Sequence, residues 1–543
     1  MSFHSLDLLM KISKRSEQEG ILEYGNRLSE LYATTHDAEI RKRKGQVFTP
    51  GKVSTFMANL FEIRHDTIRI LDPGAGTGVL TAAFCERVLN INKKVNLIID
   101  VYENDPNVLP FLKMVLESCK IELERKGHAV EYNIYNQDFI LYNVMHFKKS
   151  GLLWNAENRV LYDFIISNPP YYKLNKDSPQ SVAMAELISG QPNIYILFMA
   201  LSASMAKPDG EMVFITPRSF CSGLYYKKFR KWLLNNVQIT DIHIFESRTE
   251  IFDKDEILQE NIIIKASNNI RKSGYEKLII STSKNKDFTE LKRLEVPRSD
   301  IICNKNGESF VRIPTSPLDV DVLHAIDKLP NTLKDMGLRI STGPVVPFRA
   351  RQYLLPELTE NPNSVPLLWM HNMQDMEIAR HLKRNKKESA IQVCSKTKPL
   401  LLPVNNYVLL KRFSSKEQKR RLHASVLLES KFPYKTVGIE NHVNYIHKSR
   451  GNLSVHETYG IAAILDTTIV DNFFRSLNGN TQVNATDIRS LPFPTIEDVR
   501  KIGKLVYESK TYQNGSDLDS IVAAVIGIDA EIIENLNNGG TNQ

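Results

Sequence analysis

An apolar segment that ends in a proline-rich polar turn is the part of the sequence with the clearest chemistry. Residues 161–167 are mostly apolar, and Asn168, Pro169, Pro170 and Tyr171 follow them directly. Each proline fixes its backbone φ at about −65° and lacks an N–H group. The turn therefore offers mainly acceptors, the Asn168 amide oxygen and the Pro169 carbonyl, to a ligand that carries an NH2 group.

This combination of residues suits methyl transfer to an exocyclic amine such as that of adenine. The lone pair of that nitrogen is delocalised into the ring, and acceptors from Asn168 and Pro169 that each took one amino hydrogen would localise it. Tyr171 would supply an aromatic face for a base that has left the duplex. The alternative is an ordinary turn at the end of a strand, where Asn and Pro are common.

A glycine-rich loop lies upstream of this turn. Residues 67–71 predict a buried strand, and the loop that follows leads into a helix predicted to begin at Val79. Its glycines permit positive φ and close approach of a ligand, and they are Gly74, Gly76 and Gly78. A dinucleotide fingerprint needs a glycine at position 79, so the loop instead matches the GxGxG form of S-adenosylmethionine sites. Asp72 would contact the methionine part of that ligand or, alternatively, cap the turn.

Two further acidic residues are predicted at the ends of the next two strands. Glu103 follows the strand 95–102 and would accept hydrogen bonds from ribose hydroxyls. Asp138, with Phe139 beside it, follows the third strand and would accept the adenine amine of the cofactor. Each acid alone is more often a solvated loop residue, but together with the glycine loop and the Asn-Pro-Pro-Tyr turn they indicate one site.

With these motifs the chain resembles the gamma-class adenine-specific DNA methyltransferases of type II restriction-modification systems. Residues 45–51, 193–198 and 207–217 are similar to other motifs of that family. Residues 251–264 resemble the motif whose aromatic residue stacks on the far face of a flipped base, which implies this role for Phe252. A core phenylalanine is the alternative.

The resemblance implies S-adenosylmethionine as the cofactor. The positions expected to bind it are Phe48, Thr49, Pro50, Asp72, Pro73, Gly74, Gly76, Gly78, Glu103, Asn104, Asp138, Phe139 and Asn168. The catalytic positions it implies are Asn168, Pro169, Pro170, Tyr171 and Phe252. No metal is expected.

Motifs in the second half are similar to the BsuBI/PstI type of methylase, and they lie at residues 340–349, 406–413, 440–445 and 480–489. This similarity extends the resemblance to about residue 497. It implies CTGCAG as a possible target. Residues 1–44 match no motif of the family.

Length, cysteines and charge fit this interpretation. The chain has 543 residues, more than one core normally supports, and its five cysteines form no CxxC pair. Residues 371–450 carry 17 Lys and Arg against 6 Asp and Glu, a local excess of 11 positive charges. Basic residues in the second half would bind phosphates, or would be solvated helix faces. The candidates are Arg349, Arg351, Lys383, Lys411, Arg412 and Arg489, with a further basic run at Lys416, Lys419, Arg420 and Arg421.

The alternation of strands and helices predicts an α/β fold with a mostly parallel, Rossmann-like sheet. Strands near 239–246 and 260–267 would form the antiparallel edge hairpin of a methyltransferase sheet, and a mixed α+β target-recognition domain would follow. The expected domains are a helical extension over 1–44, a catalytic domain over 45–300, a recognition domain over 301–535 and a disordered tail over 536–543. The boundary rests on a loss of periodicity between Pro297 and Pro317.

The expected partner is double-stranded DNA, bound by a cytoplasmic monomer or weak dimer without a membrane segment. A cognate restriction endonuclease would share the target without needing to bind the chain. Asn-Pro-Pro-Tyr also occurs in methylases that act on RNA or on protein glutamine, so those substrates stay open. A DNA-binding module with a vestigial cofactor fold is a further alternative, and a built-in nuclease is a weaker one.

Overall fold

The computed structural model divides the chain into two compact units, Met1–Thr315 and Ser316–Gln543. The residues described are 14–148, 159–246, 260–268, 276–305, 307–358, 363–379, 387–414, 417–479, 481–511 and 517–539. Phe252, Lys383 and Lys416, all predicted to contact DNA, lie outside these ranges. The last described helix, Ala530–Gly539, includes residues 536–539, so these residues do not belong to the predicted disordered tail.

The first unit alternates strands and helices in chain order. Its elements are α1 (Ile21–Thr35), α2 (Ala38–Arg43), α3 (Gly51–Asn59), β1 (Thr67–Pro73), α4 (Val79–Leu89), β2 (Asn96–Tyr102), α5 (Leu109–Arg125), β3 (Ala129–Tyr135), α6 (Phe139–Lys148), β4 (Tyr162–Ser167), α7 (Pro179–Ala183), α8 (Ile194–Met205), β5 (Ala206–Pro217), α9 (Lys227–Asn236), β6 (Gln238–Phe245), β7 (Asn261–Ser267), β8 (Lys277–Ser283), β9 (Lys292–Pro297), α10 (Arg298–Ile301), β10 (Ile302–Lys305) and β11 (Glu308–Val311).

Nine strands form one sheet in the order β3-β2-β1-β4-β5-β7-β6-β8-β9. Strands β1 to β5 are parallel, and β7 runs antiparallel between β5 and β6. The predicted methyltransferase sheet with its antiparallel hairpin is therefore confirmed. Two strands that were not predicted, β8 and β9, extend the sheet beyond the hairpin.

The sheet forms because its central strands are apolar on both faces and are covered by helices. In β1, Ile68, Ile70 and Leu71 are at most 1% exposed. Ile68 and Ile70 pack in one core with Phe84 of α4 and Leu112 of α5. Burial on both faces is typical of parallel strands with crossover helices.

The parallel arrangement brings the ends of β1 to β4 to a single edge. The register places Pro73 opposite Tyr102, and Tyr102 opposite Tyr135. Ser167, at the end of β4, donates a hydrogen bond from Oγ to the Pro73 carbonyl at 3.0 Å. The loops that follow these strands are therefore neighbours, as expected for ligand sites of open α/β sheets.

The second unit consists of short strands and a helical core. Its elements are α11 (Pro317–Asp327), β12 (Leu338–Thr342), α12 (Pro347–Ala350), β13 (Leu354–Leu355), β14 (Ser364–Leu368), β15 (Met373–Gln374), β16 (Glu377–Ile378), β17 (Ala390–Gln392), β18 (Leu401–Pro403), β19 (Tyr407–Lys411), β20 (Ala424–Leu427), β21 (Thr436–Ile439), β22 (Val443–Lys448), α13 (Val455–Leu465), α14 (Thr468–Leu477), α15 (Ala485–Arg489), α16 (Ile496–Ser509), α17 (Leu518–Ile526) and α18 (Ala530–Gly539).

Two larger sheets organise this unit, with strand orders β12-β22-β19-β20 and β13-β17-β14-β21-β18. The main core joins the first of these sheets to helices α11, α13, α14, α16, α17 and α18. The mixed α+β character predicted for this half is confirmed. In the parts of both units that the structure describes, no helix combines the length and the apolar character needed to cross a membrane.

The units divide after Thr315, inside the interval from Pro297 to Pro317 predicted for the boundary but later than residue 300, where the catalytic domain was predicted to end. Residues 292–297, just before that interval, form strand β9 at the sheet edge. Its exposed Lys292 and Arg293 hide the strand pattern, because only one face of an edge strand meets the core. The β10–β11 hairpin also belongs to the first unit.

Candidate active site

The Asn-Pro-Pro-Tyr turn contacts a loop that lies far upstream in the sequence. The Asn168 Nδ2 group donates to the Val47 carbonyl at 2.9 Å and to Thr49 Oγ1 at 3.0 Å. Because the Val47 carbonyl can only accept, this bond fixes which side of the amide carries the nitrogen. The Asn168 Oδ1 atom therefore has a defined orientation on the opposite side.

Tyr171 holds that oxygen from the other side. Its hydroxyl lies 2.6 Å from Asn168 Oδ1 and 2.8 Å from the Ile215 carbonyl, and its single proton is shared between these two acceptors. Burial raises the pKa of Tyr171 well above its ordinary value, so the hydroxyl remains a donor. The contacts fix the orientation of the ring that was predicted to stack on a base.

Gly45 allows the two loops to approach each other. Its φ is +65°, and its carbonyl accepts a hydrogen bond from the Tyr171 N–H at 3.4 Å. A Cβ atom at this position would lie 2.8 Å from Tyr172 Cδ1 and 2.9 Å from the Tyr171 nitrogen. Any residue but glycine would therefore push the loops apart.

A cleft of about 490 Å³ opens beside these loops at the carboxyl edge of the sheet. Nine of the predicted cofactor-binding residues line it: Phe48, Thr49, Gly74, Gly76, Glu103, Asn104, Asp138, Phe139 and Asn168. Pro170 lines it as well. The other predicted cofactor positions, which are not among its lining residues, are Pro50, Asp72, Pro73 and Gly78. Most of the cofactor-binding positions predicted from the sequence therefore lie together around this one cleft.

The glycine loop forms one wall of the cleft. Its three glycines have φ values of +73°, +55° and +87°, in the order Gly74, Gly76, Gly78. The N–H groups of Gly74 and Ala75 both donate to the Tyr102 carbonyl at 2.9 Å, and that of Gly76 donates to Glu103 Oε2 at 2.9 Å. A phosphate-binding loop aims such groups at its ligand. This wall therefore suits a nucleoside without phosphates.

Asp72 serves the fold beneath that loop. Its side chain is 1% exposed and accepts a hydrogen bond from Thr81 Oγ1 of helix α4 at 2.7 Å. Burial raises the pKa of its carboxyl to about 7. The placement favours the structural alternative over contact with a methionine group.

Two acids line the cleft, and each uses both carboxylate oxygens as acceptors within the protein. Glu103 accepts the Gly76 N–H through Oε2 and the Asp105 N–H at 2.8 Å through Oε1, and burial raises its pKa. Asp138 accepts the Leu141 N–H at 2.9 Å and the Gln180 amide at 2.8 Å. Each carboxylate oxygen can accept a second hydrogen bond. The roles predicted for Glu103 toward ribose and for Asp138 toward the cofactor adenine remain predictions.

Aromatic rings line another part of the cleft. Phe139 packs on Phe198, with ring centroids 5.1 Å apart. A Cβ atom on Gly76 would lie 3.2 Å from Phe48 Cε1, so this ring reaches the glycine loop. Phe198 was not predicted as a site residue, although it belongs to the segment 193–198 that resembles a motif of the family.

Asp105 is a second residue that the sequence analysis missed. Its Oδ2 accepts hydrogen bonds from Lys44 Nζ and from Gln46 Nε2, both at 2.7 Å. Burial alone would raise the pKa of this carboxyl, but the hydrogen bonds from Lys44 and Gln46 outweigh it and lower the pKa. Asp105 thus fastens the upstream loop to the second strand end. Its position two residues after Glu103 was the available signal.

The residues present fit S-adenosylmethionine. The cleft combines acceptors at two strand ends, aromatic walls and a loop whose N–H groups are used within the protein. These features match a nucleoside with hydroxyl and amine donors and without phosphates.

The predicted DNA-contacting residues fall into two groups in the second unit. Arg349 and Arg351 are exposed. Arg412 donates from Nη1 to the Asn441 carbonyl at 3.1 Å, and Arg489 donates from Nη2 to the Ile340 carbonyl at 2.9 Å. Lys411 is half-buried, and burial lowers its pKa. Arg412 and Arg489 therefore have hydrogen-bond partners within the fold, and the Lys411 side chain is partly shielded from solvent.

Two members of the predicted basic run are also used by the fold. Arg421 is 1% exposed and donates from Nε to Ser414 Oγ at 3.1 Å, so it is not a surface phosphate contact. Arg420 forms an ion pair with Asp466 at 3.4 Å. A local excess of positive charge in the sequence includes cations that solvent does not reach.

The sequence matches the Eco57I restriction-modification methylase family over residues 91–252. It is 34% identical to the type II methyltransferase M.PstI of Providencia stuartii over 88% of this chain and 92% of that protein. It is 35% identical to M.BsuBI of Bacillus subtilis over the same shares. In fold, it is similar to the ATP-dependent type ISP restriction-modification enzyme LlaBIII bound to DNA, with a TM-score of 0.50 and 13% identity, over 92% of this chain and 42% of that one.

Proposed function

The chain belongs to the type II methyltransferases of restriction-modification systems, of the BsuBI/PstI type, and from this premise we propose that it methylates the exocyclic N6 amine of adenine in duplex DNA. The observation that carries the proposal is the fixed amide of Asn168. Its nitrogen is held by Val47 and Thr49, which leaves its oxygen as an oriented acceptor. An acceptor prepared in advance requires no reorganisation during the reaction.

In the proposed reaction Asn168 Oδ1 and the Pro169 carbonyl each accept one hydrogen of the target amine. This localises the nitrogen lone pair and gives the amine a direction of attack. S-adenosylmethionine would supply a methyl group bound to a positively charged sulfur. The carbon–sulfur bond would break as the amine nitrogen takes up the methyl carbon, the neutral thioether S-adenosylhomocysteine would leave, and the nitrogen would lose one proton to solvent. Tyr171 holds the Asn168 oxygen in place and offers its ring to the base. Glu103, Asp138 and Phe48 would hold the cofactor.

The adenine must leave the duplex to reach this turn, because its amine is hydrogen-bonded within the base pair. We infer that the base stacks on Tyr171 and, as the family resemblance implies, on Phe252. The second unit would read the DNA sequence, and CTGCAG is the first target to test. A cognate endonuclease that cuts the same sequence would give the methylation its protective role.

The deciding experiment offers duplex DNA, RNA and protein to the purified chain with isotopically labelled S-adenosylmethionine. We expect label in DNA alone, as N6-methyladenine in the digested nucleosides, and mapping of the modified positions then gives the target. Label in RNA, in protein or on cytosine would contradict the proposal. Asn168→Ala serves as the inactive control.

A further inference from the structure

The segment 343–351 of the second unit is held at its start by backbone hydrogen bonds to residues 439–443. The Val345 N–H donates to the Ile439 carbonyl at 3.0 Å, and the Asn441 N–H donates back to the Val345 carbonyl at 2.9 Å. The Gly343 N–H donates to the Val443 carbonyl at 2.8 Å. Together these bonds fix the path of the backbone that leads into helix α12.

Phe348 projects from this fixed segment into solvent. Its side chain is 76% exposed, more than any other large hydrophobic side chain in the described part of the chain. Val345 and Ala350 on either side are buried, and Pro347 restricts the backbone at the start of α12. The aromatic ring is therefore presented by an anchored backbone, which limits the entropy lost when a partner covers it.

Arginines lie beside the exposed ring and on the backbone segment that carries it. The Arg349 guanidinium lies 5.4 Å from the centroid of the Phe348 ring, and Arg351 is exposed on the same short segment. Arg412 Nη1 donates to the Asn441 carbonyl, in the turn to which the segment is bonded. An aromatic ring among cations suits a polyanion with flat apolar surfaces. Duplex DNA has both properties, in its phosphates and its base stack.

We propose that Phe348 is a wedge that enters the base stack of the bound duplex while Arg349 and Arg351 contact its phosphates. Apolar side chains inserted at a base step unstack it locally. The wedge would thereby lower the cost of removing the target adenine from the helix. This inference rests on the proposed function and adds to it a residue of the second unit.

The test compares Phe348→Ala with the wild type on two duplexes that carry the mapped target. One duplex is fully paired, and the other has an abasic site opposite the target adenine, which lowers the cost of base removal. We expect the variant to methylate the paired duplex about tenfold more slowly or worse, and to recover most of the wild-type rate on the abasic duplex. With 2-aminopurine at the target position, its fluorescence increase on the paired duplex should fall in parallel.

Two matched variants complete the design. Phe348→Leu keeps an apolar wedge and should retain most of the activity on paired DNA, while Leu505→Ala removes another exposed apolar side chain of the second unit and should have no effect. Wild-type activity of Phe348→Ala on the paired duplex overturns the wedge. Equal losses on both duplexes also overturn it, since they indicate a role in affinity or in contact with a protein partner. A wild type that labels no DNA refutes the proposed function itself.

Discussion

The polar side chains at the carboxyl edge of the parallel sheet and the arginines of the second unit are held in different ways. At the sheet edge, hydrogen bonds with neighbouring loops orient three side chains: Asn168 donates to the Val47 carbonyl, Glu103 accepts from the Gly76 N–H, and Asp105 accepts from Gln46. In the second unit Arg421 is buried within the fold, whereas Arg349 and Arg351 reach solvent from a short helical segment. Under the proposed function, catalysis would depend on oriented acceptors, and DNA affinity on cations that the fold leaves accessible.

The largest effect is expected from Asn168→Ala, which removes the oriented acceptor. Turnover should fall by about 10³-fold or more, while duplex DNA still binds. Single-turnover methylation and a binding titration would measure the two quantities separately. Tyr171→Phe is the milder variant because it loses only the hydroxyl that holds Asn168 Oδ1. A near-normal rate for Asn168→Ala would refute the catalytic role proposed for the oriented acceptor at the sheet edge.

A smaller effect is expected from Arg349→Ala combined with Arg351→Ala. Loss of two phosphate contacts should weaken DNA binding and lower the salt dependence, the slope of log K against log salt, by about two. Titrations at several salt concentrations would give this slope. The matched double variant Lys501→Ala with Lys504→Ala removes two positive charges from helix α16 of the same unit and should leave the slope unchanged. Equal slopes for both double variants would show that total charge matters more than position.

The smallest effect concerns the fold beneath the sheet edge. The pKa of Asp72 is raised to about 7, so the unfolded chain loses this proton at a lower pH than the folded chain does. Stability therefore falls as pH rises from about 4 toward 7. Asp72→Asn cannot ionise, and its melting temperature relative to the wild type should rise by a few degrees between pH 4.5 and pH 8. A difference that does not change with pH would contradict the assigned environment.

Local patterns in the sequence were sufficient to predict the main sheet and much of the cleft. Gly74, Gly76, Glu103 and Asp138 were found because the ends of parallel strands must meet at one edge. The bond from Asn168 to Val47 could not be found in this way, because it joins residues 121 positions apart. Such a contact depends on how an upstream loop folds over the sheet, which no local pattern specifies.

The second unit shows the same limit more strongly. Its strands are two to six residues long, and its two larger sheets combine segments distant in sequence. Charge alone could not separate Arg421, which is buried, from Arg351, which is exposed. Distinguishing them requires knowledge of which carbonyls and hydroxyls lie within reach, such as Ser414 Oγ for Arg421.

The amide of Asn168 has one further consequence. Its nitrogen binds the loop that borders the cofactor cleft, and its oxygen belongs to the turn proposed to bind the target base. A ligand that stabilises the upstream loop also restricts this side chain, and a base that engages the oxygen restricts the loop in return. If the proposed cofactor and base bind here, the free energy of binding one would depend on the presence of the other, with the same coupling free energy in both directions.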